Sequence, residues 1–158
     1  MLKPLIISLF AITITMSVAI ESDVLAQRKS VPASEVNGTF RMSFRGAFKS
    51  SSSRIKILAL GGGRIRVAMD LIYPYTLRNG ELMVNMGRLD DEFEIDGETA
   101  VYKSDDGACR IELKFRKPGT VDIMQNGTDG ECGFGHNVNA AGAYRKISSR
   151  KPRFDNPL

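Results

Sequence analysis

The chain has 158 residues, 42% of them hydrophobic and 25% charged, a composition that suits one globular domain and not a disordered or fibrous segment. Two cysteines far apart in sequence and one histidine match no zinc-ligand spacing. The formal net charge is +4, yet residues 30–143 hold 14 basic and 15 acidic side chains, so the excess belongs to the two ends and not to a nucleic-acid platform.

Residues 1–26 read as a secretory signal peptide. Lys3 supplies a positive start, Pro4 to Ile20 is an uncharged and mostly apolar run, and Val24-Leu25-Ala26 sets small residues at a cleavage site before Gln27. The run is short for a bilayer span, and Glu21 and Asp23 follow it where a stop-transfer segment would be basic. Cleavage leaves 132 residues (158 − 26), with no stable membrane span expected afterwards. Residues 27–36 read as an N-terminal extension, 37–147 as the domain and 148–158 as a basic tail.

From residue 37 the pattern has period two, the mark of half-buried strands. Phe40, Met42 and Phe44 alternate with polar residues, as do Ile55, Ile57 and Ala59. Gly61-Gly62-Gly63 predicts a tight reversal into a strand with Ile65, Val67, Met69, Leu71 and Tyr73 on one face, ended by Pro74. Tyr73 to Gly80, continuing to Met83 and Met86, breaks the alternation and predicts a longer loop. Asn79-Gly80, Asp96-Gly97 and Asp106-Gly107 are further turn signals, the last leading into Cys109, Ile111, Leu113 and Phe115. Lys117-Pro118-Gly119 matches a type II turn, and a last strand is expected from Gly142 to Ile147. About eight short strands with sequential connections predict an all-β, antiparallel up-and-down barrel, the alternative being a two-sheet β-sandwich.

Cys109 and Cys132 both survive cleavage into an oxidising compartment, which favours a disulfide over two free thiols or a metal pair. Such a bond would contribute about 3 kcal/mol by restricting the unfolded chain. Charge also divides the body: residues 30–89 carry nine basic and three acidic side chains, residues 90–143 five and twelve. Like charges directly opposite destabilise a sheet, so the halves are expected to neutralise each other across the seam where the barrel closes. The alternative is a polarised surface that orients a charged partner.

No catalytic residue, metal ligand or cofactor motif emerges. His136 has no local nucleophile or orienting acid, and reads as structural or surface-exposed. Aligning Glu92, Glu94, Asp96 and Gly97 with a calcium loop puts Lys103 where a glutamate must sit, so Asp90–Asp96 reads as a strand with a wet acidic face. The residues most suited to binding are Tyr73, Tyr75 and Arg78 around the proline, with Phe134, His136 and Asn137 beside the second cysteine.

Cys109-Arg110-Ile111, the strand Val121 to Gln125, Cys132-Gly133-Phe134-Gly135 and Gly142-Ala143-Tyr144-Arg145-Lys146 resemble a pattern of small exported bacterial β-domains, some of which accompany lysozyme-inhibitor-type modules. The resemblance covers residues 105–147 and implies an envelope location (periplasmic or secreted) and a Cys109–Cys132 bond. It carries no catalytic residues. The expected function is an exported, non-enzymatic binding module of the bacterial envelope, with an inhibitor of an envelope hydrolase as one form of it. Its partner would be an envelope protein or glycan. The alternatives are a lipocalin-like carrier of a small apolar ligand and an enzyme of unrecognised type.

Overall fold

The computed structural model describes residues 31–116 and 119–154. Eight antiparallel strands follow one another around a closed barrel: β1 Gly38–Ser43, β2 Ser52–Gly61, β3 Arg64–Thr76, β4 Leu82–Asp96, β5 Thr99–Lys103, β6 Arg110–Arg116, β7 Thr120–Asn126 and β8 Gly142–Ser148. Each strand pairs with its neighbour in sequence, and β1 closes on β8. Closure removes the two edges that an open sheet would expose, and it replaces the two-sheet alternative.

The alternating residues supply the interior. Phe40, Ile55, Ile57, Ile65, Val67, Met69, Leu71, Phe93, Ile111, Leu113, Phe115, Val121 and Ile123 are all buried in one cluster. Each such side chain contributes about 1.5–3 kcal/mol when fully removed from water. Polar groups inside are satisfied: Tyr144 donates to Ala140 O at 3.1 Å, and Ser53 Oγ accepts the Ile72 N–H at 3.1 Å. The β2–β3 reversal uses Gly62 and Gly63 at φ 60° and 71°, a conformation that glycine adopts without cost.

The two ends of the barrel differ. One end carries the short β2–β3, β4–β5 and β6–β7 turns and is covered by a single helical turn, α1 Ala33–Val36. Val36 is buried there, and Lys146 Nζ donates to the carbonyls of Ser34, Glu35 and Asn37 at 3.1, 2.6 and 3.0 Å. The other end carries the longer connections, and Cys109 at the foot of β6 is bonded there to Cys132 in the β7–β8 loop.

Several expectations change. β1 stops at Ser43, so Phe44 leaves the ladder and is only half-buried in the loop. Pro74 does not end β3, which continues to Thr76. The Ile72 N–H points toward β2, so two residues on Pro74 faces the same way, where β2 has already ended and no donor is needed. Tyr73 keeps the face of Leu71 but is exposed, because the barrel wall ends at Leu71. The stretch expected as a long loop is instead a ribbon with a tight turn at residues 77–81.

Charge is neutralised across the β3–β4 pair and not at the closing seam. Arg64 meets Glu92 at 2.8 Å, Arg66 meets Asp90 at 2.8 Å, and Arg88 meets Asp70 at 2.9 Å. At the seam, Arg41 stands opposite Arg145. The expected signal peptide of residues 1–26, residues 27–30, the Lys117-Pro118 half of the expected type II turn and residues 155–158 lie outside the described residues.

Candidate functional site

β3 and β4 are 13 and 15 residues long, far longer than the other strands' contacts require. β2 pairs with β3 only up to Arg54–Asp70, and β5 pairs with β4 only over Glu94–Asp96. From Tyr73–Asn85 to Thr76–Leu82, the two strands have only each other as strand partners. They leave the barrel as a two-stranded arm. A ribbon of this kind is marginal in water unless something packs on it.

The β7–β8 loop does so. Phe134 is buried over Gly87, where a Cβ would lie 2.9 Å from three of its atoms. Gly135 N–H donates to Met86 O at 3.0 Å, and a Cβ on Gly135 would lie 2.5 Å from that oxygen. Asn85 Nδ2 donates to His136 O at 2.7 Å. The Cys-Gly-Phe-Gly sequence is thus explained: the cysteine tethers the loop, the phenylalanine anchors it, and the second glycine permits backbone contact with β4.

A shallow, open cleft of about 520 Å³ lies between arm and loop, lined by Tyr73, Tyr75, Asn85, His136 and Asn137. The Tyr73 and Tyr75 rings stack with centroids 6.3 Å apart. His136 is largely exposed, and its Nδ1 lies 3.6 Å from Asp129 Oδ2. Asp129 organises this corner by accepting the Asn137 N–H and then the Gly130 N–H, and those bonds, the Asn137 one foremost, hold its carboxyl below the usual carboxylate value. Asn137 takes the left-handed region at φ 60°, which asparagine tolerates.

Of the six residues expected to bind, Tyr73, Tyr75, His136 and Asn137 are brought together. Arg78 sits exposed in the turn at the tip of the arm, away from the cleft, and Phe134 is an anchor, buried and unavailable to a ligand. Asn85 and Asp129 escaped the sequence reading. Asn85 interrupts an apolar run, Leu82-Met83-Val84 and Met86, which is its only signal. Leu77, Leu82, Met83, Val84 and Met86 are exposed on the arm.

Where β4 and β5 splay apart, a second cleft of about 730 Å³ is rimmed by Asp91, Glu92, Glu94, Asp105, Asp106 and Glu131. Burial, then the charges of Asp91, Asp105 and Asp106, push the Tyr102 phenol up. Bonds from the Ser104 hydroxyl and the Ala108 N–H hold the Asp106 carboxyl down. Among the described residues, no three metal-ligating side chains are arranged to hold an ion. Comparison with protein-family models, with curated proteins and with solved structures gave no match.

Proposed function

We propose that this chain is an exported, non-enzymatic binding module of the bacterial envelope that grips a protein partner with its β3–β4 arm and the cleft beside it. The carrying observation is the arm itself. It extends beyond the barrel, exposes Leu82, Val84 and Met86 on one face and Met83 beside Tyr75 on the other, and is held by a disulfide-tethered loop. Contiguous exposed apolar surface is costly for a solitary domain and is the usual mark of an interface. Two stacked tyrosines on the Met83 face add large, rigid contact area with polar tips, the residue type that anchors interfaces. A narrow two-stranded arm is a shape suited to entering a cleft, so inhibition of an envelope hydrolase is one form of the same reading.

The carrier reading is weaker because Phe40, Ile57, Val67, Leu113 and Phe115 occupy the space a ligand would need. The enzyme reading rests on the His136–Asp129 contact, a histidine beside an orienting acid; the residues lining the cleft include no serine, threonine, cysteine or lysine for it to activate.

The test is affinity capture from envelope extract with the wild-type chain, a Tyr73→Ala/Met86→Ser variant and an Arg116→Gln control on the far side. A discrete protein held by wild type and control but released by the arm variant is the expected result. Equal recovery by all three would overturn the assignment of the arm.

A further inference from the structure

Between Glu35 and Asp70 the sequence has no carboxylate, and between Glu131 and Asp155 it has none. Far apart in sequence, these stretches become neighbours when β1 closes on β8. β8, β1 and β2 therefore form three adjacent strands without one acidic side chain. Arg41 stands directly opposite Arg54 on one side and Arg145 on the other. All three are exposed, and none is ion-paired among the described residues.

Opposed residues on paired strands hold their Cβ atoms about 4.5–5.5 Å apart, and like charges placed so are destabilising. Folding alone disfavours this row. The same chain pairs arginine with carboxylate across β3–β4, so complementary placement was available to it. The β1–β2 loop adds exposed Arg45 and Lys49 to the basic side. The opposite wall, β4 and β5, carries the acidic cleft, so the barrel is polarised from one side to the other.

From this geometry we infer that the outer face of β8, β1 and β2 docks on an anionic phospholipid bilayer. The face is the convex outside of a barrel, where neighbouring side chains diverge. They do not converge on one small anion, whereas a bilayer presents many phosphates in a compliant plane. Ile147, exposed two residues beyond Arg145 on the same side of β8, can enter the headgroup region. This inference is independent of the arm, which leaves the loop end of the barrel.

The experiment is co-sedimentation of the chain purified from an exporting host. Vesicles are phosphatidylcholine alone, or phosphatidylcholine mixed with phosphatidylglycerol. Binding to the mixed vesicles only is expected at about 0.1 M salt, with release near 1 M, where the Debye length falls to about 3 Å. The triple variant Arg41→Gln, Arg54→Gln, Arg145→Gln should bind roughly a hundredfold more weakly, at about 1 kcal/mol per surface-proximal cation. Its melting temperature should not fall, since opposed like charges are removed. Arg→Lys at the same three positions should keep the binding. A charge-matched triple at the paired Arg64, Arg88 and Arg116 should lose little. Equal loss from both triples would reduce the effect to net charge and overturn the proposal. So would salt-insensitive binding to both vesicles, the signature of residues 4–20. So would soluble polyphosphate binding as tightly as the mixed vesicles, or salt-sensitive self-association in their absence.

Discussion

Gly135→Ala probes the contact on which the arm depends. The new methyl would lie 2.5 Å from Met86 O, a backbone atom that cannot swing aside. The loop must therefore lift from β4. The Gly135–Met86 hydrogen bond is lost, at about 0.5–1.5 kcal/mol, and Phe134 loses part of its burial over Gly87, at about 1–2 kcal/mol of the 1.5–3 kcal/mol for a full side chain. The expected destabilisation is about 2–3 kcal/mol by urea unfolding. The exchange of the Met86 and Gly135 region should accelerate before that of β6 and β7. Gly133→Asn is the matched control: its site is open and its φ of 70° is one that asparagine tolerates. A Gly135→Ala protein as stable as wild type, with unchanged exchange, would refute the docking of the loop on the arm.

Removing the staple with Cys109→Ala/Cys132→Ala frees a loop of separation 23 and should lower unfolding free energy by about 3 kcal/mol, with reductant acting alike on wild type. Burial raises the Tyr144 phenol above its ordinary value of 10.0, so the folded state holds that proton more tightly. Its contribution is intact below pH 10 and lost as pH rises through the raised value. Tyr144→Phe should flatten the alkaline stability loss seen by circular dichroism, only in part because Tyr102 is raised too. Asp129 titrates below its ordinary 3.8, so its bonds to Gly130 and Asn137 persist above that pH and fail as pH falls through the lowered value. The Asn137 amide resonance should report a midpoint below 3.8, a shift absent in Asp129→Asn.

The strands were legible because a closed barrel wets one face of each and buries the other, which writes period two into the sequence. Ile65 to Leu71 and Cys109 to Phe115 show it, and the glycines at 61–63, 80, 97 and 107 mark the turns between. The arm was misread for the same reason. Once β3 and β4 leave the wall, both faces of β4 carry exposed apolar residues, alternation fades through Leu82-Met83-Val84, and a ribbon looks like a loop. Pro74 reinforced the error because its missing N–H matters only where a partner strand waits. Tyr73, Tyr75, His136 and Asn137 were nominated separately, by composition; only the docking of the loop on β4 brought them to one cleft. The segregation of charge was visible in the count, but its consequence depended on which strands meet at closure, and that is not a local property.

Site-specific photo-crosslinking in exporting cells tests the central claim most directly. A photoreactive side chain at Met83, on the arm, should yield a discrete adduct with an envelope protein, and one at Arg116, on the far side, should not. Adducts absent from Met83, or equally abundant from both positions, would contradict the assignment of the arm as the binding element.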